Sequence, residues 1–177
     1  MQLIMKPIIK IYTKVGDEGE TVTYGNLKVP KDSYIIDING YIDALQSSLD
    51  FCYIHNQEFR DLIDKINKKL WQLGGEISLG GIGKNIKDPI TIRDIEEVEN
   101  YIDRLLYPRH FVRFTRLGSS HLNEARIRCR VLERELTQVL RAGLIREEVY
   151  KYINRLSDLL FVMAYKVETE NVESDKS

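Results

Sequence analysis

Cysteine and proline are scarce in this chain, and no long apolar run interrupts it. Its 177 residues include two cysteines and four prolines. Cys52 and Cys129 each lie inside an apolar-periodic run with no CxxC neighbour. That excludes a disulfide framework and a zinc ribbon, and leaves two buried thiols. His55, His110 and His121 show no metal-ligand spacing among themselves or with the cysteines, so no residue is assigned as a metal ligand. Nor is there a defensible Ser/His/Asp or Cys/His arrangement for nucleophilic catalysis. The opening, Met1 to Tyr12, is apolar but broken by Lys6, Pro7 and Lys10, without the core or cleavage site of a secretory signal. No stretch approaches the ~20 apolar residues that span a bilayer. Charge of one sign is missing too: 26 Lys and Arg face 27 Asp and Glu, a net charge of -1. That balance argues against a nucleic-acid coat and a polybasic membrane anchor. A cytoplasmic protein is expected, with neither nucleic acid nor membrane as partner.

What is present is helical periodicity. Hydrophobic residues make up 43% and charged residues 30%, a globular composition of one-domain length. Ile38, Ile42, Leu45, Leu49 and Cys52 recur at steps of three and four. Ile63, Ile66, Leu70, Leu73 and Ile77 do the same, as do Ile95, Val98, Ile102 and Leu105. Two longer runs follow: Leu122, Ala125, Cys129, Leu132, Leu136 and Val139, then Val149, Ile153, Leu156, Leu160, Met163 and Val167. Each is one apolar stripe of an amphipathic helix. His55-Asn56-Gln57 separates the first two helices, Gly74-Gly75 and the Gly80–Gly83 stretch end the second, and Thr91 with Asp94 reads as a capping box opening the third. Pro108 closes the third helix or follows it, and Gly143 fits just after the fourth. Short connections make neighbours antiparallel. The expected fold is all-α: a five-helix antiparallel bundle over residues 33–167 behind an irregular segment, 1–32, as one domain, with a flexible polar tail at 168–177.

Three segments are too polar for plain bundle surface. Thr13-Lys14-Val15-Gly16-Asp17-Glu18-Gly19-Glu20-Thr21 sets two glycines among hydroxyls and a lysine. Its backbone N–H groups and lysine suit a polyphosphate, although it is no Walker A loop and also reads as a simple turn. Arg126, Arg130, Glu133 and Arg134 fall on one face of the fourth helix. They form either a multidentate phosphate site or a solvated charge stripe. Asn154 and Asp158 lie one turn apart on the fifth helix, placed to read a base or sugar or to tie helices together.

In this order the three segments resemble the PduO-type ATP:cob(I)alamin adenosyltransferases. The likeness is carried by TKxGDxGxT at Thr13–Thr21, ARxxCRxxER at Ala125–Arg134 and NRLSDxLFVMA at Asn154–Ala164. Val29-Pro30-Lys31-Asp32 and Gly40-Tyr41-Ile42-Asp43-Ala44-Leu45 extend it, so that it covers residues 10–167. The resemblance implies a five-helix bundle that transfers the 5′-deoxyadenosyl group of ATP to the cobalt of a reduced corrinoid, releasing triphosphate. It implies ATP, Mg²⁺ and cob(II)alamin or cob(I)alamin as the small molecules, and a homotrimer with ATP between subunits. A reductase and a cobalamin-dependent enzyme are the further partners it suggests. By position, Thr13, Lys14, Val15, Gly16, Asp17, Gly19, Thr21, Val22 and Lys31 would bind ATP from one subunit. Arg130, Val131, Leu132, Glu133, Arg134 and Asn154 would complete that site from the next. Asp43 and Arg126 match an intersubunit pair at the active site, Arg130 would stabilise the leaving triphosphate, and Phe111 matches the aromatic residue that keeps the lower axial face of cobalt free.

The chain also departs from the family pattern. The Phe-x-x-Pro-Gly-Gly loop appears as Phe111-Val112-Arg113-Phe114-Thr115-Arg116. Asn39 replaces a tyrosine, Ala44 a glutamate, Val131 an arginine and Asn123 a histidine. These changes touch the corrinoid pocket more than the ATP site. They leave an alternative in which the chain binds ATP or corrinoid, or delivers adenosylcobalamin, without turnover.

Overall fold

The computed structural model describes Tyr12, Lys14, residues 16–81 and residues 86–170. Thr13, Val15 and Gly83 lie outside the described residues, as do Met1 to Ile11 and the tail from residue 171. Five helices follow in order: α1 (Tyr34–His55), α2 (Arg60–Ser78), α3 (Ile92–Asp103), α4 (Leu117–Arg141) and α5 (Glu147–Glu170). Helix α4 packs along both α1 and α5, α2 lies against α1, and α3 against α5. The periodic residues form the core: Leu45, Leu49, Cys52, Ile63, Leu70, Leu73, Leu122, Cys129, Leu136, Leu156 and Met163 are all fully buried. Burial pushes the Cys52 thiol up to about 12 and raises that of Cys129 as well, so both behave as inert packing groups.

Local signals account for two helix ends. At α3 the Asp94 carboxylate accepts from the Thr91 backbone N–H at 2.7 Å and from its hydroxyl at 2.8 Å. At the end of α4 the Gly143 N–H donates to Leu140 at 2.9 Å and the Leu144 N–H to Val139 at 3.0 Å, with Gly143 at φ +68°. This is a Schellman cap, and glycine supplies its left-handed residue. Pro108 lies beyond the last residue of α3, Asp103.

Three boundaries differ from the expectation. Gly74 and Gly75 do not end α2; they lie within it, and the helix runs on to Ser78. A Cβ on Gly74 would stand 3.0 Å from the Asn39 amide oxygen, so this glycine lets α1 approach closely. The segment before α1 contains a hairpin, β1 (Glu20–Val22) paired antiparallel with β2 (Lys28–Pro30). Glu168, placed in the tail by its polarity, belongs to α5, which continues to Glu170.

An ion pair between half-buried Arg146 and buried Glu76 ties the bundle at one end. The Arg146 guanidinium grips both oxygens of Glu76, at 2.9 and 2.8 Å, and donates to the Ile90 carbonyl at 2.8 Å. Glu76 is 2% exposed. No helix among the described residues is long and apolar enough to cross a membrane.

Candidate active site

The first half of the site is a small cationic turn before α1. Lys14 adopts φ +62° and Gly19 φ +81°. The Asp17 N–H donates to the Lys14 carbonyl and the Gly19 N–H to the Gly16 carbonyl, both at 3.3 Å. The Lys31 N–H then donates to the Gly19 carbonyl at 2.8 Å, which folds β2 back onto the turn. A Cβ on Gly16 would lie 2.8 Å from the Lys31 ammonium nitrogen. Glycine at this position is therefore what allows Lys31 to rest on the turn. Thr21 sits in the hairpin opposite Val29, half-buried, whereas Val22, Asp17 and Gly19 are exposed. Neither Lys14 nor Lys31 has a carboxylate partner among the described residues.

The second half lies on α4 and α5. Arg130 and Arg134 are exposed, with no ion pair among the described residues. Beside them the Asn154 amide nitrogen donates to Glu133 at 2.7 Å. The Asn154 amide oxygen accepts from Arg155 at 2.7 Å, and Arg155 donates to Glu99 of α3 at 2.8 Å. The amide is thus held from both ends. Arg126 donates to Asn123 at 2.9 Å and lies over the Phe161 ring, 5.8 Å from its centroid. Burial, and then the nearby Arg130 charge, lower the pKa of Arg126. Burial raises that of Asp158, and Glu133 adds to the effect against the opposing pull of Arg155 and Arg130.

One predicted residue stands elsewhere. Leu132 is fully buried, so its side chain contributes packing and not ligand contact, while Val131 is half-buried. Asp43 is exposed on α1 and forms no ion pair with Arg126 within the chain, while the Arg126 Nε–H donates to Asn123 and leaves the other guanidinium N–H groups available. Phe111 is fully exposed at the rim of a pocket of about 510 Å³ lined also by Pro108, His110, Phe114, Arg126 and Phe161. An adjoining pocket of about 480 Å³ shares Phe161 and is lined by Tyr107, Arg155 and Asp158. Sequence reading missed Phe161, Glu99 and Arg155 as parts of this site. Phe161 falls within the third segment, but its apolar character merges with the helix stripe.

Among the described residues the turn and its hairpin are bonded to α2 and not to the helices that carry the second half. The hairpin is fastened to the end of α2: Thr23 and the Gly25 N–H both donate to the Ser78 carbonyl, at 2.7 and 3.2 Å. No hydrogen bond or ion pair among the described residues joins the Lys14–Lys31 segment to α4 or α5.

The sequence profile of the cobalamin adenosyltransferase family matches residues 11–167, spanning the cationic turn, the arginine helix and the asparagine helix. The chain belongs to the cobalamin adenosyltransferase family. A corrinoid adenosyltransferase of Citrobacter freundii is 35% identical over 168 residues, 90% of this chain and 96% of the relative. A corrinoid adenosyltransferase of Bacillus subtilis is 30% identical over 174 residues, 92% of this chain and 89% of the relative. Among solved structures, a variant PduO-type ATP:corrinoid adenosyltransferase from Lactobacillus reuteri, complexed with cobalamin and ATP, superposes with a TM-score of 0.77 at 27% identity. That likeness covers 90% of this chain and 93% of the other.

Proposed function

We propose that this cobalamin adenosyltransferase family member transfers the 5′-deoxyadenosyl group of ATP to the cobalt of cob(I)alamin, giving adenosylcobalamin and triphosphate. Cobalt attacks the ribose 5′-carbon with its own electron pair, the cobalt–carbon bond forms, and the carbon–oxygen bond breaks. The electron pair of that bond leaves on triphosphate. The observation that carries this reading is the pair of unneutralised cationic sets: Lys14 with Lys31 on the turn, and Arg130 with Arg134 beside the fixed Asn154 amide. Cations aimed at a leaving polyphosphate stabilise the charge that grows there. Cob(I)alamin is a strong nucleophile, so no protein base is required.

ATP would lie between subunits of a homotrimer, with the turn from one chain and α4 and α5 from the next. This reading is supported by the two halves sharing no hydrogen bond or ion pair among the described residues. It also gives exposed Asp43 a partner, in Arg126 of an adjacent subunit. No group of three or more His, Cys, Asp or Glu among the described residues could hold a metal alone. Mg²⁺ would enter on the phosphates, where it neutralises charge. The corrinoid would occupy the pocket rimmed by Phe111, with Phe111 toward the lower axial side of cobalt. Cob(II)alamin without a lower ligand is more easily reduced, so a reductase would supply the electron before transfer.

The test is an anaerobic assay with chemically reduced cobalamin, Mg²⁺ and ATP, run on the native chain and on Arg130→Ala. Transfer by the native chain and its collapse in the variant are expected. Turnover of Arg130→Ala at the native rate would contradict the assignment, and ATP binding without transfer by the native chain would favour a delivery module.

A further inference from the structure

The loop that carries Phe111 is held by a residue far away in sequence. The Glu168 carboxylate, in the last turns of α5, accepts from the Thr115 N–H at 3.1 Å, the Thr115 hydroxyl at 2.8 Å and the Arg116 N–H at 3.3 Å. It also accepts from the hydroxyl of Ser119, a fully buried residue in the first turn of α4. Arg116 is the N-cap of α4, and no side chain of its own helix caps it. Glu168 supplies that cap from another helix, where a negative charge also suits the helix dipole.

A second contact from α5 holds the neighbouring loop residue. Phe114 packs edge-on against Phe161, with ring centroids 5.9 Å apart. Thus α5 fixes Phe114, Thr115 and Arg116 in succession. Upstream of that anchor, Phe111 stands fully exposed at the pocket rim. Its ring is placed by the backbone leading to the anchor and not by packing of its own.

We propose that Glu168 is a positioning residue for the corrinoid half of the site, fixing the Pro108–Arg116 loop so that Phe111 is presented over the pocket. This rests on the reading that the pocket receives the corrinoid.

The experiment is steady-state kinetics of the full chain with cob(I)alamin and ATP varied separately, for native, Glu168→Gln, Phe111→Ala and the double variant. Glutamine keeps the size but presents an N–H₂ toward donors. Glu168→Gln is expected to raise the KM for cob(I)alamin about tenfold and to leave the KM for ATP within about twofold. In the Phe111→Ala background it is expected to add little, because the residue it positions is gone. Thr115→Val, which removes only one hydroxyl of the clamp, is expected to shift the same KM in the same direction by a smaller factor, whether or not Glu168→Gln folds. Equal changes in both KM values, full additivity with Phe111→Ala, or an unaltered corrinoid KM in Thr115→Val and Glu168→Gln would overturn the inference while the proposed function stands. A native chain without transfer would overturn both.

Discussion

The side-chain amide of Asn154 is fixed by Glu133: its nitrogen donates to that carboxylate at 2.7 Å, while Arg155 occupies its oxygen at 2.7 Å. The orientation of the amide is therefore set before any ligand arrives, and Glu133 keeps an oxygen free of this bond. Asn154→Asp would place a second carboxylate against Glu133. Separate titrations of ATP and corrinoid in the transfer assay should show the KM for ATP rising by an order of magnitude or more in Asn154→Asp, with a smaller rise in Asn154→Ala. Equal ATP affinity in both variants would mean that Asn154 does not touch the nucleotide.

Arg130 is expected to matter for rate and hardly for folding. It is exposed and lacks an ion pair among the described residues, so Arg130→Ala removes no native contact of consequence. Loss of one transition-state charge stabiliser costs about 10²–10³ in kcat. Calorimetry on the same sample should find Tm within about 2 °C of native, as for most surface substitutions. A large fall in Tm would assign Arg130 a structural role instead.

Two glycines separate function from stability. In Gly16→Ala the new methyl meets the tip of a flexible lysine, which can swing away. The fold should tolerate it while the KM for ATP rises severalfold through displacement of Lys31. In Gly81→Ala the methyl would lie 2.2 Å from the Leu144 carbonyl oxygen, and the φ of +87° is unfavourable for alanine. Thermal unfolding should place Gly16→Ala near native and Gly81→Ala far below it; the reverse order would contradict the packing described.

The pair of buried Glu76 with half-buried Arg146 gives the largest expected loss. Removing one partner leaves an uncompensated buried charge, at a cost of about 3–5 kcal/mol. Arg146→Ala should therefore lower Tm by roughly 10 °C or more for a chain of this size. The paired change to Glu76→Leu with Arg146→Met should recover much of that loss, because no charge then remains buried.

The Glu168 clamp predicts an acid limb to stability. Burial pushes its carboxyl upward, but the hydrogen bonds from Ser119, Thr115 and the two backbone N–H groups outweigh that and hold it below the ordinary value of 4.5. The unfolded chain therefore takes up the proton first as pH falls. The stabilisation is complete well above 4.5 and drains away as pH drops through the lower folded value. Urea unfolding of native and Glu168→Gln should differ by about 1–3 kcal/mol at neutral pH, the scale of hydrogen bonds to a charged group. The difference should narrow on acidification, and one that widened would reverse the assignment.

The bundle was legible in the sequence because core packing leaves a repeat: Leu122, Cys129, Leu132 and Leu136 had to be apolar at helical spacing, and each is fully buried. The caps at Thr91 and Gly143 were legible because their chemistry is local. The hairpin was not, since strands of three residues are too short for alternation to register. Gly74 read as a stop because its role depends on Asn39, which comes from another helix. The same holds at the site. The arginines and the turn show in linear motifs, whereas Glu99 with Arg155 and Glu168 with Thr115 join positions 56 and 53 apart, and no spacing rule connects them.

The most direct test of the central claim follows cob(I)alamin absorbance and free triphosphate together, anaerobically, with Mg²⁺ and ATP and the native chain. Adenosyl transfer predicts equimolar loss of cob(I)alamin and gain of triphosphate. Binding of ATP with neither signal changing would contradict it.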